Sequence, residues 1–410
     1  MVNGKNQPKY AVGLDAGSSR TRCVICVNED QRLRFLAASS VPAKGFHKGT
    51  VADVGAISQS IMAAIKEAET RSRVLVDSVV LGLGGPTIES SQGRGVYEFG
   101  RPREITANDL AYAVELASRV QIQAGRMLVH VFPQDFTVDG RAGYRYPVGL
   151  MCTKLEANVL LVTTSEQEHE ALISAAHQAH LSVEDTVFEP VAAAYAAILP
   201  EERQRGAAVV DLGLHSTGLA IYDGDACVGA ASMPVSADHL TRDIVAGLQH
   251  YHGISVAYED AETLKREYGC AMLGLTSDNT LIEVPLSDGR GSREITRRQL
   301  NEILEARAEE MFEHIRQEIG KCGMSQVLME GVFVTGAGGR LQGMLDMAER
   351  MLNCHAKFGL TVGILDWPQN FQDPAWTTAA GLAMYSARLR QHKTNRRRTP
   401  GLLGLLGWRT

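Results

Sequence analysis

No stretch of this 410-residue chain is apolar enough for long enough to span a bilayer. Nor does a secretion signal open it, because Met1–Lys9 is polar and the apolar run that follows is broken by Asp15. The expectation is a protein kept in the cytosol. A disulfide framework is also lacking: the seven cysteines are odd in number and scattered. Cys23 and Cys26 form C-x-x-C, but inside a Val/Ile-rich segment that reads as a strand, where positions three apart face opposite sides. Buried structural thiols are expected there, not a redox or zinc pair. Positive net charge is missing as well, with 41 Lys+Arg against 47 Asp+Glu and a formal charge of -6. That excludes a global field drawing the chain to nucleic acid. The absence of a G-x-x-x-x-G-K-[ST] run excludes a P-loop.

What is present is ordinary globular material, 45% hydrophobic and 21% charged, of a length that suits two to three domains. One pattern occurs twice. Tyr10–Leu14 reads as a buried strand, Asp15-Ala16-Gly17-Ser18-Ser19 as a tight turn and Cys23–Val27 as the returning strand. Ala207–Val210, the turn Asp211-Leu212-Gly213-Leu214-His215-Ser216-Thr217 and Leu219–Tyr222 repeat it 196 residues later. Two similar lobes are expected, not a short-period solenoid. Helices are expected over Ile57–Arg71, Ala107–Val120, Glu166–Ala179, Glu189–Leu199, Ala237–Tyr251, Ala257–Tyr268, Thr296–Ile319, Leu341–Met351 and Trp376–Leu389. Strands are expected over Val74–Leu83, Leu128–Phe136, Tyr144–Val148, Asn158–Thr163, Leu281–Leu286 and Gly331–Thr335, those between 128 and 163 forming a small inserted α+β subdomain.

Asp15/Gly17, Asp211/Gly213 and Gly336/Gly338/Gly339 are three strand-turn units built on glycine. Glycine lets the backbone approach a phosphate, and an Asp at a strand end can hold a hydrated divalent cation. One such turn means little, since every hairpin needs something similar; two mirrored copies and a third are harder to assign to chance. A dinucleotide reading of Gly336 fails on spacing, because the first acid after the following strand is Asp366, well past the twenty or so positions that reading requires.

Gly13-Leu14-Asp15-Ala16-Gly17-Ser18-Ser19-Arg20, Asp211-Leu212-Gly213 and Thr335-Gly336-Ala337-Gly338-Gly339 resemble the two phosphate motifs and the adenosine motif of the actin/Hsp70/sugar-kinase superfamily. Glu189–Tyr195 and Pro374–Leu382 resemble its connecting helices. Phe132–Gly140 with Tyr146–Leu150, Pro234–Leu248, Ala261–Lys265 through Tyr268-Gly269, and Ile295–Glu310 are most similar to the bacterial cell-division family FtsA. The resemblance covers nearly the whole chain. It implies an α/β, two-lobed actin-like ATPase fold with an inserted α+β subdomain and a C-terminal amphipathic tail. The divisions it implies are 1–82 for the lobe I core, 83–163 for the insertion, 164–203 for the rest of lobe I with a connecting helix, 204–235 for the lobe II core, 236–307 for its small subdomain, 308–365 for lobe II with the adenosine motif, 366–390 for the returning helix and 391–410 for a basic linker and membrane-targeting helix.

The resemblance also implies ATP and Mg2+ in the cleft between lobes. Asp15 and Asp211 would hold the metal through water, Gly17, Ser18, Ser19, Arg20, Gly213, Ser216 and Thr217 would surround the phosphates, and Glu262, Lys265, Gly336, Ala337, Gly338 and Gly339 the adenosine. Glu189 would orient an attacking water. Leu214 and His215 stand where the family has glycine, Arg20 replaces a common Lys and Ala337 a Gly, so the expectation is ATP binding with weak or absent hydrolysis.

From Arg388 to Thr410 there are seven basic residues and no acid, which leaves 34 basic against 47 acidic groups in the body. Gln391–Pro400 reads as a disordered linker. Projected as a helix, Leu402, Leu403, Leu405 and Leu406 share an arc of about 160° with Trp408 beside them and glycines opposite. With Arg396, Arg397 and Arg398 they suit an anionic membrane surface. The resemblance implies an adaptor that anchors FtsZ filaments to the inner face of the cytoplasmic membrane at the division septum, self-associates into filaments and meets other division proteins. The FtsZ C-terminal peptide would dock near Arg293 and Arg307, and no nucleic acid is expected. The alternatives are a pilus-assembly-type actin-like adaptor and a small-molecule kinase of the same superfold.

Overall fold

The computed structural model describes residues 9–29, 32–119, 121–277, 279–323 and 328–396. The chain begins with β1 (Lys9–Ala16), β2 (Arg20–Glu29) and β3 (Arg32–Pro42), a small hairpin of β4 (Phe46–His47) and β5 (Thr50–Val51), then α1 (Val54–Ser72) and β6 (Ser78–Leu83). A second run holds β7 (Glu89–Glu104), α2 (Ala107–Ser118), β8 (Arg126–Val138), β9 (Arg141–Tyr144) and β10 (Met151–Ser165). It returns through α3 (Glu166–Gln178), β11 (Ser182–Phe188), α4 (Glu189–Ala197) and α5 (Pro200–Gln204). There follow β12 (Ala207–Leu212), β13 (Thr217–Asp223), β14 (Ala226–Met233), α6 (Ala237–His252), α7 (Tyr258–Tyr268), β15 (Leu281–Pro285), β16 (Ser292–Thr296) and α8 (Arg297–Lys321). The last elements are β17 (Gly331–Thr335), α9 (Met344–Leu352), β18 (Ala356–Phe358), β19 (Ile364–Leu365) and α10 (Thr377–Arg396).

Two of the sheets are copies of one plan. The first runs β11-β6-β1-β2-β3-β19 and the second β14-β13-β12-β17-β18. In each, an antiparallel meander (β1–β2–β3, β12–β13–β14) is extended by two strands parallel to its first member. The repeat of 196 residues read from the sequence is therefore a repeat of topology. α4 and α10 pack against each other between the lobes. α4 is alanine-rich and buried almost all round, as a helix with apolar residues on every face must be.

The insertion is an antiparallel sheet, β7-β10-β8-β9, with α2 closing its core through Leu110, Ala113, Val114 and Ala117. Thr106 and Asp109 cap α2 reciprocally, as their spacing predicts. The insertion also reaches lobe II: Gln134 Nε2 donates to Cys227 O at 2.6 Å, and Arg145 pairs with Asp223 at 2.6 Å.

Cys23 and Cys26 are buried free thiols in two different core clusters, one on each face of the sheet. Burial pushes both thiols well above the ordinary range, so neither supplies a thiolate. Two expectations need correction. Tyr144–Val148 is not a strand: β9 ends at Tyr144, and Pro147 lacks the donor a ladder needs. Residues 391–396 are helical, continuing α10. Arg390 belongs to lobe I, where it pairs with Glu184 and donates to Ser78 at 3.0 Å. Arg397, Arg398, Leu402, Leu403, Leu405, Leu406 and Trp408 lie outside the described residues. Among the described residues no helix is long and apolar enough to cross a membrane.

Candidate functional site

Each meander ends its first strand on an acid. Asp15 is the penultimate residue of β1 and Asp211 that of β12, and the turns after them face each other across the gap between the lobes. The gap is lined by Asp15, Gly17, Ser18, Ser19 and Arg20 from the first turn and by Asp211, Gly213, Leu214, His215 and Ser216 from the second. Glu189, the first residue of α4, stands at its floor, and Gly336 and Ala337 contribute from the turn after β17.

The floor is a buried concentration of carboxyl groups. Burial, opposed by Arg22 and reinforced by Asp211, pushes the Asp15 carboxyl up to about 6. Burial raises Glu189 well above the usual carboxylate range, with Asp15 and Asp211 adding to it. Asp211 is also raised by burial, although Thr378 Oγ1 donates to its Oδ2 at 2.9 Å. Three carboxyls held from water with one guanidinium against them form a site short of positive charge. Among the described residues no three His, Cys, Asp or Glu groups could hold a metal ion directly. By their chemistry the paired carboxyls of Asp15 and Asp211 are groups that would fit a hydrated divalent cation.

Several residues expected to bind nucleotide, a partner or the membrane lie elsewhere than along this gap or are engaged by other groups. Thr217 is buried and donates to Val235 O at 2.6 Å, which holds the chain leading into α6. Gly338 and Gly339 turn away toward Leu212 and Val334, because residues 337–340 form a 3-10 turn that rotates successive residues by a third of a circle. Glu262 and Lys265 lie outside the lining set and are engaged with each other at 2.6 Å, Lys265 Nζ also donating to Thr241 Oγ1 at 2.7 Å. Arg20 lines the cleft, but its guanidinium is bound to the Oγ and carbonyl of Ser40. Arg307 bridges α8 to Asp243 of α6 and pairs with Glu310, while Arg293 is exposed on β16. Arg396 ends α10.

Other residues of the site were not foreseen. Gly84 belongs to it: a Cβ there would come within 2.1 Å of Glu189 Oε2, so a larger residue would displace that carboxyl from its place. Thr378 fixes Asp211 from a distance of 167 residues, which no local pattern encodes. Arg22 reaches Asp15 at 3.6 Å. Its signal was available: a hairpin closed by Ala16 opposite Thr21 places Arg22 opposite Asp15.

Residues 208–381 match the family model described as cell division protein FtsA, and residues 85–163 match that of the SHS2 domain inserted in FtsA. The chain is 29% identical over 378 residues to the cell division protein FtsA of Pseudomonas aeruginosa, covering 92% of this chain and 89% of the relative. It is 27% identical over 385 residues to that of Escherichia coli, covering 92% and 90%. Among solved structures it is similar to the PilM-PilN type IV pilus biogenesis complex, with a TM-score of 0.64 at 18% identity over 92% of this chain and 98% of that one. MreB5 of Spiroplasma citri bound to ADP is similar at a TM-score of 0.57 and 13% identity over 96% and 99%. Likeness at these identities shows the fold, which is actin-like.

Proposed function

The chain belongs to the FtsA family of cell division proteins, and we propose on that premise that it binds ATP between its lobes and anchors FtsZ filaments to the inner face of the cytoplasmic membrane during septum assembly. The observation that carries the nucleotide reading is the convergence of Asp15, Asp211 and Glu189 on one buried floor, beneath two mirrored turns. Backbone N–H groups of the turns at Ser18–Ser19 and Leu214–Ser216 would receive the phosphates, the Gly213 N–H being donated to Ser216 O at 3.0 Å. Magnesium, when bound, would neutralise charge between phosphate oxygens and the two aspartates. Glu189 would orient a water, but Leu214 and His215 put side chains where an open turn would leave room. His215 lies with its Cβ 3.1 Å from where a Cβ on Gly49 of the opposite lobe would stand. Binding with little turnover follows.

Titration of the protein with ATP, combined with phosphate release, tests this. Saturable binding with slow release is expected, and Asp211→Asn should weaken binding at least tenfold. Rapid kinase-like turnover would contradict the role given to Leu214 and His215.

The anchoring part rests on the family and on the basic, leucine-bearing C-terminal sequence. A variant ending at Arg396 keeps α10 whole. It should melt with the full chain yet no longer co-sediment with anionic vesicles, whereas retained co-sedimentation would remove the membrane role from that sequence. Binding of an FtsZ tail peptide near Arg293 and Arg307 would separate this reading from a pilus-type adaptor. Self-association and contacts with other division proteins belong to the same proposal.

A further inference from the structure

One strand of the insertion is bonded to both lobes. β8 pairs with β10, but the register slips at two places and passes over Val129 and Gln134. Bulges of this kind bend a strand and re-aim its side chains. Beside the first slip stands His130, whose Nε2 accepts the Phe188 N–H at 3.0 Å. Phe188 is the buried residue that leads into α4, and the residue after it is Glu189 of the cleft floor. Burial brings His130 down to about 4, so the ring is neutral and Nε2 keeps the lone pair that this bond needs. At the second slip Gln134 Nε2 donates to Cys227 O of β14 at 2.6 Å, and to Phe132 O of its own strand at 3.0 Å. β14 in turn reaches the cleft wall, where Ser232 Oγ donates to Gly85 O at 2.7 Å. Four residues of strand, about 13 Å, therefore run from the entry of α4 in lobe I to the sheet of lobe II.

We propose that β8 is a tie between the lobes, in which His130 is a positioning residue for Glu189, acting through the Phe188 N–H, and Gln134 holds β14 of lobe II at the spacing a nucleotide needs. Neither side chain touches the ligand. Without the acceptor at 130 a buried N–H loses its partner and the chain that aims Glu189 is released; without the donor at 134 β14 is free to move from the insertion. Coupling of this kind is reciprocal, so a nucleotide that holds the lobes together steadies β8, and a loosened β8 weakens the nucleotide.

This inference rests on the nucleotide reading above, and one experiment tells their failures apart. The full-length protein and its His130→Phe, His130→Gln and Gln134→Met variants are titrated calorimetrically with ADP and magnesium, and amide hydrogen exchange is followed in β8 and at Phe188 with and without ADP. The wild type should bind ADP and exchange more slowly at both places once it is bound. His130→Phe and Gln134→Met should lose roughly fivefold or more in ADP affinity, and bound ADP should no longer slow exchange in β8. His130→Gln, which brings an amide oxygen to about the place of Nε2, should keep most of both properties. A wild type that binds ADP with no change in β8 overturns the inference while the cleft remains a nucleotide site. So does His130→Phe or Gln134→Met binding ADP and slowing exchange like the wild type, and so does His130→Gln faring no better than His130→Phe, because the acceptor is then not what matters. If His130→Phe does not fold, Gln134→Met decides by the same two measures. If the wild type binds no ADP, the nucleotide reading falls and takes the inference with it.

Discussion

At the scale of single residues the cleft trades stability for charge. Glu189 is buried beside Asp15 and Asp211, and burial first, then their charges, raises its carboxyl well above 4.5. In such a group the fold binds a proton that the unfolded chain has released. Its stabilising contribution is complete below the unfolded value of 4.5 and is lost as the pH rises through the folded one. Glu189→Gln removes that dependence without changing shape. The variant should melt with the wild type near pH 4.5 and above it by about 2–4 °C at pH 8 in the absence of nucleotide. A gap that is the same at both pH values would show that the carboxyl does not titrate in this way. The sequence made Asp15, Asp211 and Glu189 legible because their turns repeat or resemble a family. It hid Thr378, which meets Asp211 only through tertiary folding, and it hid Arg22 until strand register was considered.

At the scale of elements the helices between the lobes are packed backbone to backbone. Gly381 of α10 crosses α4 so closely that a Cβ would stand 1.8 Å from Ala192 O, and Gly13 of β1 would meet Ala379 O at 2.3 Å. Gly381→Ala should therefore force the helices apart and lower the urea midpoint by at least about 1–3 kcal/mol of stability, at unchanged m-value. Thr106→Ala, which deletes one half of the α2 capping box, should cost about 1 kcal/mol and leave the lobes untouched. Periodic helices such as α6 and α8 were visible in the sequence because each has a long apolar stripe. β7 was not visible: it is exposed along much of its length, carries Gly93, Gly95, Gly100 and Pro102, and becomes a strand through pairing with β10. Gly95 is itself a packing choice, since a Cβ there would meet Ala113 O at 2.4 Å where α2 crosses the sheet.

At the scale of the whole molecule two lobes share one site, so a ligand there binds only when both are in place. Nucleotide at a hundredfold excess over its dissociation constant should raise the stability by about 2.7 kcal/mol, seen as a concentration-dependent melting temperature. An unmoved melting curve at saturating ADP would mean that the native cleft is not preferred. The duplication was readable as a spacing of 196 residues, whereas the route by which the chain comes back to its start was not. β19 pairs with β3, and Trp376 together with Ala379, Ala380 and Ala383 of α10 covers Ala11, Val24, Cys26 and Ala38. The first lobe to leave the ribosome is thus the last to be finished: its sheet stays uncovered on that side until residues beyond 364 have been made, while the second lobe already has every strand of its own sheet once β18 has been synthesised.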